Sequence, residues 1–387
     1  MSGERRLVLV VGIGRSGTSL FTGILGQLGF HVPQPEVQAD DTNPRGFSEP
    51  RWVVDFHSRL MRPRRITVFD SRPAAWEVAA EAAEDEAVVA ELRSWLDVQF
   101  VGADDVVVKD PRIGWFLPLW QKCADALGAE TSFAQMLRHP HQVVRSAGQW
   151  YGDWQNDASR AAAWLNITLH VEETTRGARR TFVRYDDLLE DWRREISRAA
   201  EALDVPRLAK LDAPDAAAVD GFVDPTLKRS TSTADDLGFP NALESQLENT
   251  WELVSGLARP GGDGDAKTRA ALDEARAAYD EFYAAAEAIA QSSITAVKPR
   301  KGARAKAEPA TGASSNGAGG SLRSRAFDLV PRRRNDPARL ATSRRVVGRS
   351  LVALPIRVAL MVPVRYRERV PIPIVRAVAK LSRSLHQ

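Results

Sequence analysis

Of 387 residues only one, Cys123, is a cysteine. That excludes a disulfide framework and any cysteine-rich zinc site, and it makes a reducing compartment the expectation. The six histidines (His31, His57, His139, His141, His170 and His386) are scattered without metal-ligand spacing, so no metal is expected. Long apolar runs are also missing. A membrane-spanning helix needs about 20 predominantly apolar residues, and the nearest stretch, 346–364, is broken by Arg349, Pro355, Arg357 and Pro363. Residues 7–11 are apolar and follow Arg5 and Arg6, but they run into Gly12-Ile-Gly-Arg with no small-residue cleavage pattern. They read as a buried strand rather than a targeting signal. The expectation is a cytoplasmic protein, at most peripheral at the inner membrane face.

What is present divides unevenly. Apolar residues make up 44% and charged residues 27%, a globular composition. The net charge of +3 conceals two regions of opposite sign. Residues 298–387 hold 21 Lys and Arg against 4 Asp and Glu, a net of +17, which leaves 1–297 with 32 against 46, a net of −14. The expected organisation is a body over 1–297, a Gly/Ser/Ala/Lys linker over 298–320 and a basic, partly apolar tail over 321–387.

Within the body, short apolar runs alternate with longer helical patterns, which predicts an α/β fold with a parallel sheet and crossover helices. Strands are expected at 7–11, 106–109, 133–137, 181–184 and, more weakly patterned, 66–69. Helices are expected at 18–28, 50–60, 76–100, 140–151, 158–174, 187–203 and 266–290, the last separated from a preceding helix by Gly261-Gly-Asp-Gly.

The segment Gly12-Ile-Gly-Arg-Ser-Gly-Thr-Ser19 follows a strand and opens a helix. Such a loop aims backbone N–H groups and a helix N-terminus at an anion, so phosphate or sulfate is its natural ligand. Gly12-x4-Gly17 followed by Thr18-Ser19 matches a Walker A loop except that Thr18 stands where a nucleoside-triphosphatase needs Lys. Arg15 is the nearby cation. A dinucleotide site is disfavoured too, because Gly12-x-Gly14-x-x-Gly17 lacks a clear acidic ribose ligand after a second strand.

The loop Gly14-Arg-Ser-Gly-Thr-Ser19 resembles the 5′-phosphosulfate loop of sulfotransferases that use 3′-phosphoadenosine 5′-phosphosulfate (PAPS), with Gly14 where the family often has proline. A second element, Leu137-Arg138-His139-Pro140 with Ser146 eight residues after Arg138, is similar to that family's 3′-phosphate site. About two helical turns separate Arg138 and Ser146, so a strand-tip Arg and a helix Ser face one anion. Supporting likenesses to bacterial members are Asn43-Pro-Arg-Gly-Phe-Ser-Glu49, Lys109-Asp-Pro-Arg112, Tyr185-Asp-Asp-Leu-Leu189 and Leu227-Lys-Arg229. The resemblance covers about residues 7–260 and implies a P-loop-type central parallel sheet flanked by helices, with the basic extension outside it.

The resemblance implies sulfuryl transfer from PAPS to an acceptor hydroxyl, with a carbohydrate or glycolipid favoured. Gly14, Arg15, Ser16, Gly17, Thr18 and Ser19 would hold the 5′ end, Arg138, Ser146 and Arg229 the 3′-phosphate, and Tyr185 the adenine side. Arg15 and Lys109 are the candidates for stabilising charge in the transition state, since such transfers depend mainly on positioning and cationic stabilisation. No metal is required where Arg and Lys already neutralise the leaving group. An acceptor hydroxyl needs a base. Many animal cytosolic members carry a His two residues after this Lys, but here that position is Pro111; Glu49 is the replacement and Asp110 the runner-up.

Trp150, Tyr151 and Trp154 have two readings, as core packing, which their spacing favours, or as the wall of a sugar- or lipid-binding cleft. Arg45, Arg51, Arg62, Arg64 and Arg65 surround the acceptor-side segment, either greeting an anionic acceptor or forming a solvated face. In the tail, Arg332–334, Arg344-Arg345, Arg365, Arg367, Arg369 and Arg376 alternate with apolar residues, and prolines 355, 363, 371 and 373 forbid one long helix. That composition suits an anionic membrane surface. No stacking platform accompanies the charge, so nucleic acid is not expected. The rival readings are a P-loop kinase and a non-catalytic nucleotide-binding module with a membrane-associating tail.

Overall fold

The computed structural model describes residues 4–151, 154–209, 211, 213–224, 226 and 237–297. The expected linker 298–320, the tail 321–387 and the candidate ligand Arg229 lie outside the described residues.

Four strands, β1 (Arg6–Val11), β2 (Asp105–Lys109), β3 (Glu130–Leu137) and β4 (Arg179–Arg184), form one parallel sheet in the order β2-β1-β3-β4. In register, Val10 lies opposite Lys109, Val11 opposite Gln135, and Leu137 opposite Arg184. Successive strand side chains point to opposite faces, and both faces are apolar because both are covered. Leu7, Leu9, Val11, Val106 and Val108 belong to one core; Val8, Val10, Val107, Ala134 and Met136 belong to the other.

The helices are α1 (Thr18–Gln27), α2 (Arg51–Arg64), α3 (Ala75–Ala80), α4 (Glu86–Gln99), α5 (Leu117–Ala126), α6 (Pro140–Tyr151), α7 (Asp157–Thr174), α8 (Tyr185–Glu190), α9 (Trp192–Leu203), α10 (Ala213–Phe222), α11 (Asn241–Leu257) and α12 (Ala266–Val297). Phe21, Ile24 and Leu25 of α1, Ile196 and Ala199 of α9 and Val219 of α10 cover one face. The larger core on the other face is built from α2 to α7, α11 and α12, with Phe56, Leu96, Trp120, Trp164, Leu247 and Tyr279 among its buried residues.

Three expected elements differ, each through an aspartate. Residues 66–69 form no strand: Asp70 accepts from the Thr67 and Arg72 backbone N–H groups, both at 3.1 Å, and closes a turn instead. The expected helix 76–100 breaks into α3, a short 3-10 turn and α4. Asp85 causes the restart by accepting from the N–H groups of Ala87 and Val88, a side-chain N-cap. Likewise 187–203 divides into α8 and α9 at Asp191, which accepts from Arg194 N at 3.0 Å. Helices α5 and α10 carried no expectation.

The connectivity decides where a ligand sits. From β1 the chain crosses to β2 on one side and then to β3 on the other, so the order reverses around β1. In open parallel sheets, that reversal leaves a crevice at the carboxyl ends of the strands.

Candidate functional site

Each strand delivers a polar or charged group to that crevice: the 12–17 loop after β1, Lys109 at the end of β2, Arg138 after β3 and Tyr185 after β4. The resulting open cleft encloses about 1070 Å³, solvent at its mouth included. Arg15, Gly17, Thr18, Ser19, Glu49, Lys109, Arg138, Ser146 and Tyr185 all line it. Gly14 and Ser16 sit behind the wall, Gly14 beside Phe69 and the Tyr151 hydroxyl and Ser16 fully buried.

The loop takes a conformation few residues adopt. At Gly17, φ is 99°, and a Cβ there would lie 2.4 Å from the Tyr185 ring, so only glycine fits between the loop and the start of α8. Arg15 has φ 74°, a left-handed value unusual for a non-glycine and a place where backbone strain is held by surrounding contacts. Helix α1 begins with no acidic residue in its first turn, leaving the positive end of its dipole uncompensated by side chains of that turn. Ser16 Oγ is buried and has no hydrogen-bond partner among the described residues.

The cations are tied into this frame. Arg15 Nε donates to Ser146 Oγ at 3.0 Å and its Nη2 to the Thr42 carbonyl at 3.4 Å. Arg138 Nη1 donates to the Arg15 carbonyl at 3.0 Å and its Nε to Gln142 Oε1 at 3.0 Å, while its guanidinium lies 4.4 Å from the Tyr185 ring centroid. Burial lowers the Arg138 guanidinium below its usual value, a desolvation cost that a bound anion offsets. Arg15 therefore spans the loop and the Arg138/Ser146 pair.

Lys109 sits on the other side. Its Nζ donates to Ser19 Oγ at 3.1 Å, to the Phe47 carbonyl at 3.3 Å and to Glu49 Oε1 at 2.5 Å. An ammonium has three N–H donors, and here all three are engaged. Glu49 is held by its neighbours along the chain: its carbonyl accepts from Val37 N at 2.8 Å, and Arg51 N donates to the Pro35 carbonyl at 2.8 Å. The 31–50 segment thus folds back on itself and carries Glu49 to the cleft.

Asp110, one residue from Lys109, faces elsewhere. Its Oδ2 accepts from His57 Nδ1 at 2.8 Å, and its Oδ1 accepts from Arg112 N at 3.0 Å and Arg112 Nη1 at 2.8 Å. Trp120 Nε1 donates to His57 Nε2 at 3.0 Å, so His57 carries its proton on Nδ1. Burial pushes the Asp110 carboxyl up, but Arg112 and His57 outweigh it and hold the group well below the usual carboxylate range. Asp110 is fully buried and is not on the cleft wall.

Of the aromatics left with two readings, Tyr151 lines the cleft. The residue is 41% exposed; burial around the hydroxyl pushes the phenol up, with the positive charge of Arg15 opposing. Trp154 is exposed and Trp150 half-buried. Of the five arginines, Arg45 reaches the cleft, where it pairs with Asp224 at 3.6 Å and donates to the Gly221 carbonyl. Asn43 and Phe47, from the 43–49 segment, line the cleft as well, and so do Thr42 and Gln149, which were not anticipated. Gln149 was within reach of sequence reasoning, because it lies three residues after Ser146 on the same helix face. Among the described residues no group of three or more His, Cys, Asp or Glu side chains is placed to hold a metal ion, and no helix is long and apolar enough to cross a membrane.

No family model matches the chain, and no curated protein matches it. Solved structures that align with it include the sulfotransferase domain from the Synechococcus PCC 7002 olefin synthase, at 17% identity and TM-score 0.37, covering 65% of this chain and 96% of that one. Another is the sulfotransferase domain from the curacin biosynthetic pathway, at 13% identity and TM-score 0.33, covering 70% and 97%. At those scores neither likeness carries weight for fold or activity.

Proposed function

We propose that the protein is a PAPS-dependent sulfotransferase that moves a sulfuryl group to a hydroxyl of a carbohydrate or glycolipid acceptor. One observation carries the reading: two anion-binding sets share one cleft, the 15–19 loop with Lys109 and the Arg138/Ser146 pair, and Arg15 links them. A nucleotide charged at both its 5′ and 3′ positions fits that double arrangement better than a triphosphate does. The desolvated Arg138 guanidinium, which lines the cleft, supports the fit. A kinase is disfavoured because Thr18 occupies the Walker lysine position.

PAPS supplies the sulfuryl group when bound. Thr18, Ser19 and the loop N–H groups hold the 5′ end; Arg138 and Ser146 hold the 3′-phosphate, with Tyr185 on the adenine side. Glu49 accepts the proton that the acceptor hydroxyl loses as its oxygen bonds to sulfur. Lys109 and Arg15 stabilise the charge left on the departing phosphate oxygen, a role worth roughly 3–4 kcal/mol for a well-placed donor. Thr42, Asn43 and Gln149, beside the rings of Phe47 and Tyr151, offer hydrogen bonds and apolar faces together, which supports a polyhydroxylated acceptor.

The deciding experiment is calorimetric titration of the full chain with adenosine 3′,5′-bisphosphate and, separately, ATP with magnesium. Metal-independent binding of the bisphosphate is expected; preference for ATP with magnesium would overturn the reading in favour of a kinase. For the tail 321–387, its basic and apolar composition supports attachment to the cytoplasmic, anionic membrane face. Flotation with phosphatidylglycerol vesicles should capture the chain at low salt. Equal capture by phosphatidylcholine vesicles would refute an electrostatic attachment.

A further inference from the structure

Arg138 is held on several sides, and one of the groups holding it is not on the cleft wall. Gln142, one helical turn further along α6, accepts from Arg138 Nε at 3.0 Å. The amide orientation is dictated by chemistry, since Arg has no acceptor and only the Gln carbonyl oxygen can face Nε–H. Both side chains are buried, Arg138 at 7% and Gln142 at 8% exposure. The Arg15 carbonyl takes Nη1, the Tyr185 ring covers the guanidinium plane, and Trp164 Nε1 donates to the Arg138 carbonyl at 3.2 Å. Among the described residues this leaves Nη2 without a described hydrogen bond, on a side chain that lines the cleft.

An arginine with four rotatable side-chain bonds selects a phosphate only if its fork is held in place before the ligand arrives. We infer that Gln142 is a positioning residue that fixes the Arg138 fork and thereby sets the preference for a 3′-phosphorylated nucleotide over the same nucleotide without it. The inference rests on the proposed PAPS site and deepens it. Gln142 acts through Arg138 alone. It reaches the ligand by no direct contact, so its effect is confined to the 3′-phosphate and leaves the rest of the nucleotide untouched.

The test compares adenosine 3′,5′-bisphosphate with AMP, both titrated into the full-length wild type, Gln142→Met, Arg138→Ala and the double variant, with Tm recorded for each. Methionine keeps the volume and removes the acceptor. Gln142→Met should weaken bisphosphate binding about tenfold, the usual effect of losing a hydrogen bond to a charged group, and shift AMP less than twofold. In the double variant the loss should equal that of Arg138→Ala alone, because Gln142 has nothing left to position. If Gln142→Met does not fold, Gln142→Leu is read the same way. Equal weakening of both nucleotides, an unchanged ratio, or additive losses in the double variant would overturn the role of Gln142 while leaving the PAPS reading intact. A wild type that binds the bisphosphate no better than AMP would instead remove the reading, and the role of Gln142 with it.

Discussion

Lys109 and Asp110 are neighbours at the end of β2, yet they enter two regions with opposite electrostatic logic. Lys109 faces the cleft, where its ammonium is shared among a hydroxyl, a carbonyl and a carboxylate at 3.1, 3.3 and 2.5 Å. Asp110 faces away from the cleft, into a chain of hydrogen bonds from Trp120 to His57 and from His57 and Arg112 to its own carboxylate. Strand alternation places adjacent residues on opposite faces, so a single step along the chain separates exchangeable charge from fixed charge. The lesson concerns pairing. Where protein groups occupy a buried charge from every side, it serves the frame; where its partners border an open cleft, a ligand can replace them.

The sharpest way to break this contrast is Asp110→Ala. It strands the His57 N–H in the interior and leaves the partly exposed Arg112 guanidinium without its carboxylate, and unfolding by urea should show a loss of about 3 kcal/mol. A loss below 1 kcal/mol would mean that the cluster is not the fixed charge described. On the open side, Glu49→Gln keeps an acceptor for Lys109 but removes its counter-charge, and should cost about 1–3 kcal/mol in urea, less than Asp110→Ala. Turnover with any acceptor the wild type sulfates should fall about a hundredfold, the lower end of general-base effects. An unchanged rate would take the base role from Glu49.

A smaller effect belongs to His170, a half-buried group. It stacks on Trp76 at 3.6 Å, and burial, aided by Arg276, pushes its imidazole down to about 3. The unfolded chain therefore binds a proton that the folded chain refuses between about pH 6.5 and pH 3. Stability is unaffected by this group above that window and falls on acidification through it, by on the order of 1.4 kcal/mol per pH unit at most. His170→Gln should flatten that slope. A slope that the substitution does not alter would show that the ring protonates in place.

Much of the frame was legible. The apolar runs marked all four strands, because strands covered on both faces are apolar over their centres, although β3 and β4 also bury Ser132, Gln135, Arg180 and Thr181. That the 15–19 loop, Arg138 and Ser146 share one cleft wall was legible for a different reason: each set lies within one short stretch, where glycine, helix start and residue spacing are local. Residues 66–69 were misread because an apolar run says nothing of a side chain like Asp70 competing for backbone N–H groups. The same competition by Asp85 and Asp191 cut two expected helices. Tyr151 was ambiguous because helical spacing names a face without saying whether that face meets a core or a cleft.

The amino-acid sequence by itself determined the parallel α/β frame, the glycine-rich loop between β1 and α1 and the Arg138–Ser146 spacing, all properties of neighbouring residues. The tertiary structure alone decided which distant groups meet: Arg15 with Ser146 across 131 residues, Lys109 with Glu49 across 60, and His57 with Asp110 across 53. Periodicity reports the environment of a residue along its own element. Partners across the chain are chosen by the strand order, and it is the reversal around β1 that brings the four strand ends to one crevice.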